Sequence, residues 1–259
     1  MLNIDVLIDT LFTDLPPEQR IAEIAGRGFK FVETWMGGDA DPLKVVGDAC
    51  EDSGVKLVSI VMNFATDEAV APIRPESLDQ FLERIDRYAD NALAAGCSQG
   101  IVTSGHSVEG KSYQAQRAVL VEALRRGGEK AASKGFTLNL EPLNTEVDHA
   151  GYFLNDPKEG VAIVKEVGLD NVRLLYDVYH MEIMTGNQTE FITRNIAWIG
   201  HFHSAGVPGR HELFLGETNY PFLLDQIERA GYRGYFGMEY MPSLPSGESL
   251  EKTWNYLAG

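Results

Sequence analysis

The sequence predicts an α/β protein, a single (β/α)8 barrel spanning residues 1–259. Three observations predict it. Short apolar, β-branched or aromatic runs alternate along the chain with amphipathic stretches rich in Ala, Glu, Lys and Arg, the pattern of parallel strands joined by helices. The strand candidates number eight, and 259 residues match the roughly 250 typical of a closed barrel of that kind. The segment after the first strand reads DTLFTDLPPEQR and holds no glycine, whereas a doubly wound open sheet usually carries a glycine-rich phosphate loop there.

Taken in order, a strand at residues 3–9 leads to a helix at 17–27. A second strand at 29–35 precedes a helix at 42–53, where Asp41-Pro42 reads as an N-cap followed by proline at the first helical position. A third strand at 55–63 leads to a helix at 76–95, in which Leu78, Phe81, Leu82, Ile85, Tyr88, Ala89 and Ala92 recur in steps of three and four. That spacing gives one buried face. The fourth and fifth strands, 100–104 and 136–141, are followed by helices at 113–134 and 157–167, the latter opening on Asp156-Pro157. Strands at 172–177, 200–204 and 235–240 alternate with helices at 189–198, 221–230 and 247–257. Gly28, Gly54, Gly96, Gly135, Gly168 and Gly231 each stand shortly before a strand, where a helix C-terminus favours positive φ. The longest irregular stretches (36–41, 63–75, 105–112, 144–155 and 205–219) all follow strands, and in a barrel such loops build the active face.

Acids outnumber bases 38 to 22, giving a formal charge of −16. Such a field repels phosphate backbones and anionic lipid, so neither nucleic acid nor a membrane surface is expected as partner. A small anionic substrate remains open where a local cation or metal overrides the field. Cys50 and Cys97 are too few for a disulfide framework and neither sits in a CxxC. The first 20 residues carry no basic residue before Arg20, and no apolar run approaches the roughly 18–20 residues of a membrane span. The expected location is the cytoplasm.

Chemistry concentrates at the ends of the last four strands, which finish as LNLEP, LLYDVYH, GHFHSAG and GMEYMP. Glu141, Asp177, His203 and Glu239 would converge there at the mouth of a barrel. Each alone has a plainer reading: a surface glutamate, a helix cap, a hydrogen-bonded core histidine. Together, three carboxylates and an imidazole would repel one another by several kcal/mol unless a cation joined them. One divalent metal ion is therefore expected, on Glu141, Asp177, His203 and Glu239; the nitrogen ligand favours Mn²⁺, with Co²⁺, Zn²⁺ and Mg²⁺ as alternatives. His211-Glu212 does not open an HExxH motif, because position 215 is Leu.

Residues 140–144 (LEPLN), 176–183 (YDVYHMEI), 207–212 (VPGRHE), 216–220 (GETNY) and 238–240 (MEY) resemble the hydroxypyruvate isomerase family. That family lies within the xylose-isomerase-like TIM barrels, alongside ketose 3-epimerases and inosose isomerases. The resemblance is dense over 136–242 and extends to the first hundred residues only in layout. It implies that the four residues bind the metal and that Glu141 and Glu239 also handle protons. One departure is His203, where such sequences usually have Gln; a His there is the habit of the 3-epimerases. The resemblance also implies that His180 contacts a substrate oxygen, the alternative being a loop histidine bonded to backbone. Arg210 is a candidate clamp for a substrate carboxylate or hydroxyl, the alternative being a surface salt bridge to Glu212 or Glu217. Trp35, Asn63 and His106 are candidate pocket residues, with core packing the default for Trp35. The expected activity is metal-dependent isomerisation of a small α-hydroxy carbonyl compound, hydroxypyruvate-like or a short keto sugar or sugar acid. Protons would move through an enediolate held by the metal; ketose 3-epimerisation on the same residues is the alternative. A homo-oligomer is expected by analogy with related barrels.

Overall fold

The computed structural model describes residues 2–258. Eight parallel strands pair in chain order and the last closes onto the first. They are β1 Asn3–Leu7, β2 Phe31–Glu33, β3 Lys56–Asn63, β4 Gln99–Thr103, β5 Thr137–Glu141, β6 Val172–Asp177, β7 Ile199–Ser204 and β8 Tyr235–Met238. The helices around them are α1 Pro17–Gly26, α2 Ala40–Ser53, α3 Leu78–Ala94, α4 Tyr113–Ala132 and α5 Pro157–Val167. They continue with α6 Val178–Met184, α7 Gln188–Asn195, α8 Tyr220–Arg229 and α9 Ser246–Ala258. The closed (β/α)8 barrel expected from the alternation is the fold observed.

Period-two geometry sorts each strand into an inward and an outward face. In β7, Phe202 points outward and packs edge-on against Tyr232 and stacked on Phe236, at ring separations of 4.9 and 5.8 Å. Each such buried side chain contributes roughly 1.5–3 kcal/mol. His201 and His203, one residue to either side, belong to the opposite face. On α3 the expected stripe Phe81, Leu82, Ile85, Tyr88, Ala89 and Ala92 is buried, and α5 ends at Gly168 in the left-handed region, φ 72°.

Several boundaries differ from expectation for identifiable reasons. The second strand ends at Glu33 because the chain is drawn off beyond it: Thr34 N–H still donates to the Ser59 carbonyl at 3.2 Å, but the Thr34 hydroxyl and the Trp35 N–H both donate to Asp9 Oδ2 at 2.8 Å. The Asp41-Pro42 cap is incorrect. The helix starts two residues earlier, at Ala40, with Asp39 in the N-cap position and making no side-chain cap bond. Pro42 is tolerated in that first turn, whose N–H groups have no intrahelical partner. Asp156 does cap α5, accepting from Lys158 N–H at 2.8 Å. The short α6 was not anticipated, and α7 gives way to a 3₁₀ turn at Ile196–Trp198.

The barrel interior departs from aliphatic layering. Asp5, Glu33, Asn139 and His201 are all buried along it, at 0–1% exposure. Glu33 Oε2 lies 3.0 Å from Nε2 of both His201 and His203, and His201 Nδ1 lies 3.3 Å from Gln99 Nε2. Gly237 is required beside this layer. A Cβ there would fall 2.5 Å from Glu33 Oε1 and 2.9 Å from His203 Cδ2, closer than side-chain carbons approach.

Candidate active site

Glu141 and Asp177 are the last residues of β5 and β6, His203 lies within β7, and Glu239 immediately follows β8. All four are at least 94% buried. Ligand-type atoms of Glu141, Asp177, Glu239 and His180 lie within 4.8 Å of one another. His203 adjoins this group from below: its Nδ1 lies 3.5 Å from Glu239 Oε1 and 3.7 Å from Glu141 Oε1, and it has no hydrogen-bond partner among the described residues. The structure thus gathers the three expected carboxylates with His180; His203 abuts two of them, and its ligand-type atoms group with Glu33 and His201.

Local structure sets each of them. Asp177 caps α6, its Oδ1 accepting from Tyr179 N–H at 2.7 Å, which leaves Oδ2 turned to His180 Nε2 at 3.4 Å. The cap reading and the ligand reading of this residue are compatible, since each uses a different oxygen. His180 is buried on the first turn of α6 rather than in a loop; its Nδ1 lies 2.7 Å from Asn144 Nδ2. Glu239 is held from both sides. The Trp35 indole N–H donates to Oε1 at 2.6 Å and the Arg210 guanidinium bonds Oε2. Arg210 is therefore no surface cation, and it makes neither the Glu212 nor the Glu217 bridge. Glu212 is buried elsewhere: it accepts from the Ser243 and Leu244 N–H groups and the Ser249 hydroxyl at 2.8–3.1 Å, and from the Ser243 hydroxyl at 2.7 Å. Arg210 sits at φ 59°, and its carbonyl accepts from Met241 N–H, so its loop is tied to the segment after β8.

The charges respond to this crowding. Burial, then the charge of Glu239, pushes the Asp177 carboxyl up to about 7, and burial raises Glu141 as well. For Glu239, burial acts upward, but Arg210 and His203 overcome it and hold the carboxyl well below its ordinary value. Burial and the nearby Arg210 hold His180 well below the usual histidine range. Glu33 is kept near 2 by the two histidines against its burial.

A cavity of about 230 Å³ opens onto these groups. Glu141, Glu239, His180 and Arg210 form its polar wall, and Trp35, Val61, Phe64, Ile101 and Leu143 its apolar wall. Of the other pocket candidates, Asn63 is a cross-strand staple, donating to the Thr103 carbonyl and hydroxyl at 3.0 Å, and His106 bridges Tyr152 outside the cavity. Trp35 lines the cavity, as the sequence offered; sequence reasoning passed over Glu33, Asn144 and the bond from the Trp35 indole to Glu239. A glutamate inside the short apolar run FVET was the one signal available.

The barrel and its ring of strand-end acids define the class. The Xylose isomerase-like TIM barrel family model matches residues 21–257. A human protein named "Putative hydroxypyruvate isomerase" is 32% identical over 92% of this chain and 88% of its own length. A 2-oxo-tetronate isomerase of Cupriavidus necator is 45% identical over 52% of this chain and 51% of its own. Among solved structures, an AP endonuclease, family 2, from Brucella melitensis is 32% identical, covers 99% of each chain and superposes with a TM-score of 0.91. The chain belongs to the xylose isomerase-like TIM barrel family and, within it, to the hydroxypyruvate isomerase group; it is an enzyme of the isomerase class.

Proposed function

We propose that this enzyme isomerises a short α-hydroxy carbonyl acid, hydroxypyruvate-like or a four-carbon 2-oxo acid, by proton transfer between adjacent carbons. One observation carries the reading. Two buried glutamates, Glu141 and Glu239, face a small cavity beside a partly buried arginine. The cavity is below the roughly 300–1,000 Å³ of drug-sized pockets, which suits a short substrate.

The residues fit a divalent ion. Burial, then the crowding of the carboxylates, raises the proton affinity of Asp177 and Glu141, and the His203 Nδ1 at their edge has no partner. Glu141, Asp177, His203 and Glu239 would hold the ion, with Mn²⁺ the best match to three oxygens and one nitrogen. Such an ion supplies Lewis acidity to a carbonyl and its neighbouring hydroxyl, acidifying the C–H between them. Arg210 pairs a substrate carboxylate, and the His180 imidazole contacts a substrate oxygen. One of Glu141 and Glu239 takes the proton, and the same or the other returns it. Trp35 and Phe64 cover one side of the cavity and limit water. Phosphodiester cleavage fits poorly, since a net charge of −16 opposes a nucleic-acid backbone.

The test is proton NMR of product formed in D₂O from C3 and C4 hydroxy-carbonyl acids and ketoses. Deuterium at the former carbonyl carbon, with the carbonyl moved to its neighbour, is expected. Label confined to C3 beside an unmoved carbonyl would replace isomerisation by 3-epimerisation. Glu141→Gln and Glu239→Gln should each lower kcat at least about 10²-fold.

A further inference from the structure

We infer that Glu33 and Asn144 are positioning residues that hold the two histidines of the site in the same Nε2–H tautomer while turning opposite ring nitrogens to the acidic cluster. Glu33 leaves His203 with a bare Nδ1 towards the acidic cluster, and Asn144 leaves His180 with a protonated Nε2 there. The inference rests on the metal reading above and adds which histidine can serve as ligand.

The argument is donor and acceptor arithmetic. A neutral imidazole offers one N–H and one lone pair, so a partner engaging one nitrogen decides what the other presents. Glu33 Oε2 lies 3.0 Å from His203 Nε2. A carboxylate only accepts; in the neutral ring that ligation requires, Nε2 keeps its proton and the lone pair falls on Nδ1, the atom between Glu141 and Glu239. His201 donates to the same oxygen from the opposite flank, which fixes the carboxylate. Buried carboxylates of this kind orient ligating imidazoles in metalloenzymes generally.

Asn144 engages the other ring nitrogen. Its Oδ1 accepts from the Val147 and Asp148 N–H groups at 3.0 and 2.9 Å, which settles the orientation of the amide. Nδ2 therefore faces His180 Nδ1, at 2.7 Å. An amide nitrogen only donates, so Nδ1 accepts and Nε2 carries the proton, 3.4 Å from Asp177 Oδ2. His180 lies close enough to the three carboxylates to look like a ligand, yet it presents a hydrogen there. It is a donor to substrate; His203 is the nitrogen ligand.

Two readouts test this on the full-length protein. The first is Mn²⁺ affinity by calorimetry. Glu33→Gln should weaken it about 10- to 100-fold. With His203→Gln already in place, Glu33→Gln should weaken it less than about twofold further. Unchanged affinity in Glu33→Gln, or an equal loss in the His203→Gln background, overturns the role of Glu33. The second is the ¹⁵N spectrum of the histidine rings. The metal-free protein should show His180 protonated at Nε2, and Asn144→Asp should move that proton to Nδ1, lower kcat/KM at least tenfold and leave Mn²⁺ affinity within about threefold. The Zn²⁺-loaded wild type should show His203 protonated at Nε2 and ligated at Nδ1. These wild-type spectra decide the matter even where a variant fails to fold; the opposite tautomer on either ring overturns that half. A wild-type chain that takes up neither Mn²⁺ nor Zn²⁺ overturns the metal reading and the His203 half with it. The His180 half is then judged on the metal-free spectrum alone.

Discussion

Asp177→Asn should stabilise the EDTA-treated protein at pH 8 while abolishing its response to metal. The Asp177 carboxyl is pushed up to about 7 by burial and then by the charge of Glu239, from an ordinary 3.8. Its folded-state value lies above its unfolded one, so the stability it contributes is present below about pH 4 and lost as pH climbs through about 7. A shift of roughly three units at about 1.4 kcal/mol each sets a ceiling near 4 kcal/mol. Asparagine retains the oxygen that caps α6 through Tyr179 N–H. It returns part of the gain, because its amide nitrogen can then face His180 Nε2, 3.4 Å away. A net gain of about 1–3 kcal/mol remains, or roughly 3–8 °C in Tm for a chain of this size. The assay is thermal denaturation in EDTA at pH 5 and pH 8, repeated with Mn²⁺. The gap between variant and wild type should widen from pH 5 to pH 8. Mn²⁺ should raise the wild-type Tm by binding the folded state and leave the variant nearly unmoved. A variant that melts below the wild type in EDTA at pH 8, or that shows the full Mn²⁺ shift, refutes the reasoning.

Three further outcomes follow from the same geometry. Arg210→Lys should lower kcat/KM by about 1.5–3 kcal/mol, roughly ten- to hundredfold, because a point charge replaces a planar fork; steady-state kinetics on a carboxylate substrate checks it. Trp35→Phe keeps the apolar wall but removes the 2.6 Å bond to Glu239, and kcat should fall about tenfold with KM little changed. Full activity would reduce Trp35 to lining. Glu212→Gln replaces an ionised acceptor of four bonds and should cost about 1–3 kcal/mol in thermal melts, with a rise in KM because the Arg210 loop loosens.

The fold was legible because a barrel repeats one signal eight times, so errors at single boundaries such as Ala40 or Glu33 do not disturb the count. Glu141, Asp177, His203 and Glu239 were legible for a related reason: each is an ionisable residue at the end of an apolar run. Glu33 follows the same rule three strands earlier, on β2, and was hidden by position. It is the last residue of a three-residue strand, but the strand expected at 29–35 placed it in the interior. Asn144 and the Trp35 indole act through contacts 36 and 204 residues away along the chain, which no local pattern encodes. Arg210 was visible as a cation in a loop, but its partner was misjudged, because Glu212 is drawn away by Ser243, Leu244 and Ser249.

That diversion of Glu212 has a consequence for biosynthesis. A ribosome delivers the chain N-terminus first, and by residue 212 seven strands and most of the acidic ring have been made. The arginine loop cannot be fastened then, because its fastenings, Met241, Ser243, Leu244 and Ser249, all come later in the chain. A nascent or prematurely ended chain therefore holds Glu141, Asp177 and His203 without a seated Arg210 and without Glu239. The closing strand and the segment leading into α9 thus supply both Glu239 and the contacts that seat Arg210.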